Sequence, residues 1–493
     1  MKKYDLVVVG SGSGLMVLEE ALSHGLHCAI VEKAKFGGTC LTKGCIPSKM
    51  LVYPADFIRE AEMAERFGVK APRPQIDWDT ISKRMWEQVD FNKQIQKNLM
   101  SQQNLDVYHG SGSFKDPHTM AIQYIDGKAD DVIYGERFVV AVGARSFVPE
   151  INGLNDVGYL TSESFFGDKF PVKPWNQLAI LGGGAISMEF AHIFSAYGAE
   201  VTIIERSERI LAKEEEEVST FVSKQFVKNG VEILTSSKIV EARKENGKKL
   251  LTVENDEGGR RVVMCDELLI ASGVRSNADT LSFENAGVVV DQQEWIPTNE
   301  YLETSQPHIF ALGDINGKYQ FRHKANYEAQ ILSNNLFKGN GKTAADYSAV
   351  PWTIFTHPQV AHVGMTEREL LEKGIAYRSA KNHYSEVVGG RAMGYRTGDD
   401  NDGFVKMLVG DKEQILGAHI VGPHAAVLLQ PFVYLMQMGY HCKNKLTQSQ
   451  SELRIESMRR ICPQVGGYTS ILDSMIIHPS LNELTAWVFE KLK

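Results

Sequence analysis

Cysteine is scarce in this sequence, with six residues in 493, too few for a disulfide scaffold. Long apolar runs are also missing. A transmembrane helix needs ~18–20 apolar residues, and the most apolar stretch, 425–439, is shorter and contains Gln430 and Pro431. There is no excess of basic charge, since 53 Lys and Arg face 61 Asp and Glu for a net charge of −8. Because nucleic acids and anionic membranes are usually bound through a basic face, we expect neither as a partner.

The first residues, MKKYDLVVVGSGSGL, differ from a secretory signal peptide. Lys2 and Lys3 precede apolar residues, but Asp5 and three glycines interrupt the apolar region, and no small-residue cleavage site follows. We therefore expect this segment to be the first strand of the fold and the protein to be cytoplasmic. In a reducing compartment, paired thiols are more often catalytic or metal-binding than structural.

Two segments combine a strand, a glycine-rich turn and a helix. The first has a strand at 6–9, the turn GSGSGL, a helix to residue 24 and a strand at 27–31 that leads to Glu32. The second has a strand at 178–181, the turn GGGAIS, a helix to residue 197 and a strand at 201–204 that leads to Glu205. The two acids lie 22 and 23 residues after the first glycine of their turns, the spacing at which a carboxylate reaches the ribose of a dinucleotide.

These glycines have a direct physical role. They allow the backbone to approach a pyrophosphate, and the helix N-terminus offers free N–H groups and a positive dipole. Both turns lack the third glycine of the G-x-G-x-x-G pattern and have Leu15 and Ser187 in its place. Two ordinary glycine turns before helices are the alternative interpretation. We predict two Rossmann-like dinucleotide-binding folds.

The other segments predict a long helix at 76–105, short strands at 106–150 and a C-terminal α+β region that begins with strands and ends in helices. The acidic run 214–217 is expected to be a solvated first helical turn, where acids suit the helix dipole. Cys28 and Cys265 fall in predicted strands and are expected in the core.

The segment GGTCLTKGCIPSKM contains two further cysteines, Cys40 and Cys45, with Pro47 shortly after them. Proline suits the first turn of a helix, and a thiol near a helix N-terminus has a lowered pKa. This pattern favours redox chemistry. A zinc site is the alternative, but it would need two more ligands, and no C-x-x-C or nearby histidine pair is present.

These motifs resemble those of the FAD-dependent pyridine nucleotide–disulfide oxidoreductases, and the resemblance covers essentially the whole chain. GGTCLTKGCIPSK is similar to the family's redox-disulfide motif. Other similar segments are AVG at 141–143, ASG at 271–273, FALGD at 310–314, FRHKANYEA at 321–329 and HPSLNE at 478–483. The resemblance implies an α/β protein with two Rossmann-like nucleotide-binding domains and a C-terminal α+β dimerisation domain. The implied segments are 1–150 for FAD, 151–276 for NAD(P), 277–345 for the return to the FAD domain, and 346–493 for dimerisation.

The resemblance also implies which residues act. Cys45 would be the thiolate beside the flavin, and Cys40 the thiol that meets the substrate. Lys49 would lie near the flavin and pair with Glu189 of the NAD(P) domain. The implied FAD-binding residues are Gly10, Gly12, Gly14, Glu32, Lys33, Gly38, Thr39, Lys49, Gly112, Ala141, Gly143, Asp314, His323 and Ala325. The implied NAD(P)-binding residues are Gly182, Gly184, Ile186, Glu189, Glu205, Arg206 and Gly273. No metal is expected.

The expected reaction is dihydrolipoamide oxidation with NAD, with a small disulfide or dithiol or a lipoyl-bearing protein as substrate. Reduction of another low-molecular-weight disulfide, as by a mycothione reductase, is the alternative, and a non-catalytic subunit of a larger complex is a third. Glu205 favours NAD because a carboxylate repels the 2′-phosphate of NADP. Arg206 and Arg209 follow it, so NADP is possible. A mercuric reductase would need adjacent C-terminal cysteines, whereas Cys442 and Cys462 are twenty residues apart.

The C-terminal region carries two further expectations. His478 would be the base for the substrate sulfur, oriented by Glu483, and the resemblance places this pair in the active site of the partner subunit. We therefore expect a homodimer with shared active sites. The interval from Gly439 to His478 is longer than in the subfamilies considered. Its segment 441–473 would either shape the substrate entrance or form a surface excursion.

Overall fold

The computed structural model describes residues 1–339, 341–437, 467–468, 471, 476 and 480–492. The chain divides into two compact units. The first comprises 1–58, 74–210 and 230–345, and the second comprises 59–73, 211–229 and 346–493. Residues 59–73 and 211–229 thus belong to the second unit although they precede the predicted C-terminal domain. His478 and nearly all of 441–473, including Cys442 and Cys462, lie outside the described residues.

Most strands of the first unit are short. They are β1 (Lys2–Tyr4), β2 (Leu6–Val9), β3 (Cys28–Glu32), β4 (Leu105–Asp116), β5 (Thr119–Tyr124), β6 (Asp131–Gly135), β7 (Phe138–Val140), β8 (Ala144–Ser146), β9 (Gln177–Leu181), β10 (Glu200–Ile204), β11 (Glu232–Leu234), β12 (Ser237–Glu245), β13 (Lys248–Asn255), β14 (Arg260–Cys265), β15 (Glu267–Ile270), β16 (Val274–Ser276) and β17 (Ile309–Ala311). The second unit contributes β18 (Trp352–Ile354), β19 (Gln359–Gly364), β20 (Arg378–His383), β21 (Phe404–Val409) and β22 (Ile415–Gly422).

The helices connect these strands or cover the sheets. They are α1 (Gly14–Ser23), α2 (Gly38–Lys43), α3 (Cys45–Glu62), α4 (Trp78–Met100), α5 (Leu154–Val157), α6 (Ser162–Phe165), α7 (Ala185–Ala196), α8 (Glu216–Lys228), α9 (Phe283–Ala286), α10 (Arg322–Phe337), α11 (Glu367–Glu372), α12 (Val388–Ala392), α13 (Ala425–Gln437) and α14 (Asn482–Trp487). Short 3-10 turns lie at Ala64–Phe67, Ala278–Thr280, Gly313–Asn316, Tyr384–Glu386 and Val488–Lys491. No helix in the part of the chain that the structure describes is long and apolar enough to cross a membrane.

The largest sheet of the first unit has eight strands in the order β1-β6-β5-β4-β3-β2-β7-β17. The strands from β17 to β4 are parallel, whereas β4, β5 and β6 are antiparallel. All four residues of β2 are buried because both of its faces are covered. Leu6 and Val8 join one apolar cluster, which includes Val17 of α1, and Val7 joins the cluster on the other face. This burial on both faces is typical of the parallel sheet of a Rossmann-like fold.

A second parallel sheet repeats the arrangement in the order β11-β10-β9-β15. The helix α7 joins β9 to β10, as α1 joins β2 to β3, so each predicted glycine turn connects a parallel strand to a helix. The second unit instead has a five-stranded antiparallel sheet in the order β18-β19-β22-β21-β20. The helices α13 and α14 contribute to its core through residues such as Phe432 and Leu484. The predicted α/β class with a C-terminal α+β domain is confirmed.

The expectation for the acidic run 214–217 is wrong for its first half. Glu214 and Glu215 are only 2% and 4% exposed, and α8 begins at Glu216. The two buried acids precede the helix and face the antiparallel sheet, where histidine and lysine side chains oppose them. Cys28 and Cys265 are buried in β3 and β14, as expected.

Candidate active site

A cavity in the first unit brings together residues from several of the sequence motifs. The lining includes the glycine turn after β2, the end of β3, the start of α2 and α3, and the segment around Asp314. Eleven of the residues expected to bind FAD line it: Gly10, Gly12, Glu32, Lys33, Gly38, Thr39, Gly112, Ala141, Gly143, Asp314 and Ala325. Cys40 and Cys45 line it as well. The expected residues Gly14, Lys49 and His323 are not part of this lining.

The glycine turn leaves room for a ligand at the N-terminus of α1. Gly10 has φ +98°, and a Cβ there would lie 2.5 Å from the backbone oxygen of Ala141. Gly14 packs closely against the sheet, since its Cβ would lie 2.8 Å from Val8 Cγ1. The close helix–strand contact that the third motif glycine usually allows is therefore made one residue earlier, before Leu15. Free N–H groups next to glycines without side chains fit a pyrophosphate.

Glu32 is held in place at the end of β3 by three hydrogen bonds. Its carboxylate accepts them from the Ser11 backbone N–H at 2.8 Å, the Ser11 hydroxyl at 2.7 Å and the Ala34 backbone N–H at 2.8 Å. The Ser11 hydroxyl oxygen also accepts a hydrogen bond from the Gly37 N–H at 3.0 Å. Sequence reasoning missed Ser11, although its position between two motif glycines placed it beside the ribose-binding acid.

Asp314 also lines the cavity, and a buried ion pair holds the turn that carries it. Burial raises the pKa of Asp314 to about 6, although the Lys324 ammonium acts in the opposite direction. Lys324 Nζ lies 3.1 Å from Glu328 Oε2, and both side chains are buried. Glu328 also accepts hydrogen bonds from the Gly313 N–H and the Asn316 amide, both at 2.7 Å. This network fixes the turn that carries Asp314, and the polar sequence HKANYEA gave no sign of its burial.

Cys40 and Cys45 form a polarised thiol pair. Cys45 is the first residue of α3, and the Cys40 side chain is hydrogen-bonded to it. That hydrogen bond and the nearby Lys49 ammonium lower the pKa of Cys45 to about 7, against the effect of burial. The same hydrogen bond, together with burial, raises the pKa of Cys40 far above its ordinary value. The pair therefore holds its negative charge on Cys45 and its proton on Cys40.

Lys49 lies one helical turn beyond Cys45 and contacts Glu189 of α7. Its Nζ is 2.8 Å from Glu189 Oε1 and 2.7 Å from Oε2. The Glu189 side chain is only 12% exposed. This partly buried ion pair links α3, which begins with Cys45, to α7, which follows the second glycine turn.

The second glycine turn repeats the geometry of the first. Gly182 has φ +113°, and a Cβ there would lie 2.4 Å from the backbone oxygen of Ala271, two residues before Gly273. Gly184 is the N-cap of α7, and Ile186 in its first turn is exposed. Glu205, the acid predicted to bind the ribose of NAD(P), accepts a hydrogen bond from the Ser207 N–H at 2.6 Å.

Three further predicted site residues differ in exposure. Arg206 is exposed immediately after Glu205. His323 is exposed and stacks on Phe321, with ring centroids 5.3 Å apart. Glu483 is 1% exposed, and its carboxylate accepts a hydrogen bond from the Ser480 N–H at 3.2 Å. Because His478 lies outside the described residues, its pairing with Glu483 stays a prediction.

The sequence also matches two protein-family models. Residues 4–329 match the model of pyridine nucleotide-disulphide oxidoreductases, and residues 350–450 match the dimerisation domain of the same proteins. The chain belongs to this family. It is an NAD(P)-dependent flavoprotein disulfide oxidoreductase with a dimerisation domain, so the resemblance inferred from the motifs is confirmed.

Similar members of the family carry out different reactions. A dihydrolipoyl dehydrogenase from Chlamydia pneumoniae is 33% identical over 453 residues, which cover 90% of this chain and 92% of the relative. A mycothione reductase from Mycobacterium tuberculosis is 32% identical, covering 89% and 94%. A solved structure of the Cu(II) complex of the HOCl-induced flavoprotein disulfide reductase RclA from Escherichia coli is 26% identical, covers both chains completely and superposes with a TM-score of 0.83. Family membership therefore defines the cofactors in general but leaves the disulfide substrate open.

Proposed function

We propose that this oxidoreductase transfers electrons between NAD(H) and a small disulfide or dithiol through the Cys40–Cys45 pair, with dihydrolipoamide as the physiological dithiol. A lipoyl group attached to a partner protein is the same substrate in bound form. The observation that carries the proposal is the polarisation of the thiol pair at the wall of the cavity, with Cys45 at a pKa of about 7 and the proton on Cys40.

The residues of the cavity fit an FAD molecule. The turn at Gly10 and Gly12 would hold the pyrophosphate, Glu32 the adenosine ribose, and Asp314 the ribityl chain, and each of these residues lines the same cavity. FAD supplies the transfer of an electron pair between the nicotinamide and the disulfide. Lys33, Gly38, Thr39, Gly112, Ala141, Gly143 and Ala325 complete the proposed FAD contacts within the lining. Gly14, Lys49 and His323 are proposed as FAD contacts from the sequence motifs alone.

Thiol–disulfide exchange assigns different roles to the two sulfurs. In the oxidised form, a substrate thiolate would attack the Cys40 sulfur, so that one S–S bond forms as the Cys40–Cys45 bond breaks. A thiol with a low pKa leaves faster in such an exchange, and Cys45 is the thiol with the low pKa. The second substrate thiolate then attacks the substrate sulfur of this mixed disulfide, so that the oxidised substrate forms as its bond to Cys40 breaks, and Cys40 takes up the proton that the second substrate thiol has lost. The substrate loses two electrons, which the Cys40–Cys45 pair gains.

The nicotinamide nucleotide would bind at the second glycine turn, through Gly182, Gly184 and Ile186, with Glu189 and Gly273 nearby. Glu205 follows β10 at the position of the ribose-binding acid, where it would accept hydroxyl hydrogen bonds from NAD and repel the 2′-phosphate of NADP. The exposed Arg206 would attract that phosphate, so the two neighbours act in opposite directions. We propose NAD as the preferred nucleotide because the carboxylate is fixed by a 2.6 Å hydrogen bond.

Mycothione-type disulfide reduction is the second candidate. The identity to the mycothione reductase, 32%, is nearly that to the dihydrolipoyl dehydrogenase, 33%. Similarity therefore favours neither substrate strongly. Both reactions use the same thiol pair, and they differ in which substrate the entrance accepts.

Steady-state kinetics with a panel of substrates test the proposal. We would measure kcat/KM with dihydrolipoamide and NAD, and with NADH and the disulfides of lipoamide, glutathione and mycothiol. Lipoamide should give the highest kcat/KM, and the Cys40→Ser variant should abolish turnover of every disulfide. Cu(II) belongs in the panel as an alternative electron acceptor, because the RclA structure is a Cu(II) complex. A preference for mycothiol disulfide or Cu(II) would overturn the lipoamide assignment, and full activity of Cys40→Ser would overturn the role of the pair.

A further inference from the structure

Two buried histidines on neighbouring strands of the second unit face a buried glutamate. His362 of β19 and His419 of β22 are directly opposite each other in the antiparallel ladder. Their rings lie with centroids 4.3 Å apart, and the residues are 8% and 0% exposed. Glu214, in the segment before α8, approaches His362 with its Oε2 at 3.4 Å from Nδ1. One ligand atom from each of the three side chains lies within 4.8 Å of the others.

The hydrogen bonds of the two imidazoles orient their lone pairs. His362 Nε2 donates to the Gly364 backbone oxygen at 2.8 Å, and His419 Nε2 donates to the Met365 backbone oxygen at 3.1 Å. Because a carbonyl oxygen only accepts, each Nε2 carries the hydrogen, and the neutral ring then has its lone pair on Nδ1. Among the described residues, His419 Nδ1 has no hydrogen-bond partner, whereas His362 Nδ1 faces Glu214 Oε2 at 3.4 Å. A buried nitrogen without a hydrogen bond destabilises the folded protein unless another group interacts with its lone pair.

This pattern is the one that metal-binding histidines usually show. A ligating imidazole donates its second N–H to a carbonyl or carboxylate, which fixes the ring and directs the other nitrogen at the metal. The backbone oxygens of Gly364 and Met365, two consecutive residues, serve this purpose for the two rings. An ordinary histidine–glutamate pair would account for His362, but it would leave His419 Nδ1 without a partner.

The neighbouring acid Glu215 belongs to a separate group of charges. Lys406, the ladder neighbour of His419 on β21, contacts three other carboxylates: Glu215 at 2.8 Å, Glu217 at 3.0 Å and Glu367 at 2.5 Å. The lysine is therefore engaged with those three acids. The buried charge of Glu214 instead faces the two imidazoles.

We propose that Glu214, His362 and His419 bind a first-row divalent transition-metal ion, with Zn²⁺ as the ion that suits the site best. Two imidazole nitrogens and a carboxylate oxygen suit Zn²⁺ rather than Mg²⁺ or Ca²⁺, which take oxygen ligands. Bonds of about 2.0–2.2 Å in a tetrahedron put ligand atoms ~3.4 Å apart, and His362 Nδ1 and Glu214 Oε2 already have that separation. The ion would fasten the segment before α8 to the antiparallel sheet, and its fourth position would take a water or the second oxygen of Glu214.

Metal analysis of the whole FAD-containing protein tests the site. The protein is kept oxidised, so that Cys40 and Cys45 are a disulfide and do not bind metal, then stripped with a chelator and dialysed against Zn²⁺. Mass spectrometry of the elements should find about one zinc per chain. His419→Gln and Glu214→Gln should each retain less than about a tenth of that amount, because each removes a ligand. His357→Gln is the matched control, since His357 pairs with Glu60 at 2.8 Å in the same unit and is not one of the three clustered side chains.

X-ray absorption of the zinc-loaded native protein guards against variants that fail to fold. The zinc should be surrounded only by nitrogen and oxygen ligands, with the scattering pattern of two imidazoles. Zinc should also raise the melting temperature of the native protein and of His357→Gln but not that of His419→Gln. Three results would overturn the site: no stoichiometric zinc in the native protein, sulfur among its ligands, or equal zinc content in His419→Gln.

Discussion

Cys40 and Cys45 are the two ends of a six-residue segment, yet their thiols differ in pKa because their surroundings differ. Cys45 begins a helix and lies near the Lys49 ammonium, and it also receives a hydrogen bond from Cys40. These effects lower the pKa of Cys45 to about 7 and raise that of Cys40. The thiolate of the reduced protein is therefore expected on Cys45 and not on Cys40.

The first prediction concerns the pH dependence of this thiolate. A thiolate beside an oxidised flavin gives a long-wavelength absorbance band in the two-electron-reduced enzyme. The band should be present above pH ~8 and should disappear as the pH falls through about 7, because protonation removes the thiolate. Lys49→Met should move this titration to higher pH, since the ammonium that stabilises the thiolate is lost. Lys43→Met is the control, because Lys43 pairs with Glu163 at 2.5 Å instead. A band that persists in Cys45→Ser would contradict the assignment.

The second prediction concerns nucleotide choice at Glu205. The native enzyme should prefer NADH, because a phosphate beside a carboxylate is repelled by ~1–3 kcal/mol in a partly desolvated site. Glu205→Gln should therefore raise kcat/KM for NADPH relative to NADH by about tenfold. Glu200→Gln, at the opposite end of β10, should leave the ratio unchanged. If native kcat/KM is several-fold higher for NADPH, Arg206 and Arg209 dominate and the NAD assignment is wrong.

At the scale of elements, the two glycine turns show the same constraint. The first glycine of each turn has positive φ and approaches a backbone oxygen: Gly10 approaches Ala141, and Gly182 approaches Ala271. Each contact joins a strand–helix turn to the next parallel strand of its sheet, at the edge where the nucleotide would bind. The conformations of both turns are therefore restricted by backbone geometry, independently of any bound nucleotide.

The third prediction tests this constraint in the second turn. Gly182→Ala should destabilise the protein by about 2–4 kcal/mol, because it combines a disfavoured φ with a clash against backbone. Gly184→Ala, two residues away, has open space around the new Cβ, and it should cost less than about 1 kcal/mol, the usual difference between glycine and alanine at an N-cap. Thermal unfolding without nicotinamide nucleotide compares the two variants. Equal melting temperatures would show that the turn relaxes around the added methyl group.

Local patterns of the sequence predicted the elements that depend on local spacing. The strands β2, β3, β9 and β10 and the two turns were predicted nearly at their observed bounds, because glycines and a following acid define them within about 25 residues of chain. The burial of Glu214 and of the Lys324–Glu328 pair was not predictable in this way. Glu214 faces a histidine that is distant in sequence, and the Lys324–Glu328 pair is buried against a turn that precedes its helix. A charged side chain gives the same local sequence pattern whether it faces solvent or is buried beside another charge.

At the scale of the whole molecule, the remaining question is how many chains make one active site. Residues 350–450 match a dimerisation domain, and Glu483 is buried near the C-terminus. We propose a homodimer in which Cys40 and Cys45 of one chain act with His478 and Glu483 of the other. A cyclic dimer has two equivalent sites of this kind.

The fourth prediction follows from this arrangement. The inactive variants Cys40→Ser and His478→Gln are mixed under conditions that exchange subunits. A heterodimer has one site with both intact halves, so a random equal mixture should recover about a quarter of native activity. Mixing either variant with itself is the control and should recover none. If heterodimers form and disulfide-dependent activity stays absent, each site belongs to a single chain.

The most direct test of the central claim is the number of electrons that the oxidised, FAD-containing enzyme accepts. In an anaerobic titration with dithionite, the native enzyme should take up about two electron pairs per FAD, one in the flavin and one in the Cys40–Cys45 disulfide. Cys45→Ser should take up one, because only the flavin remains. A native enzyme that is fully reduced by a single electron pair would contradict the account, since Cys40 and Cys45 would not be a redox centre.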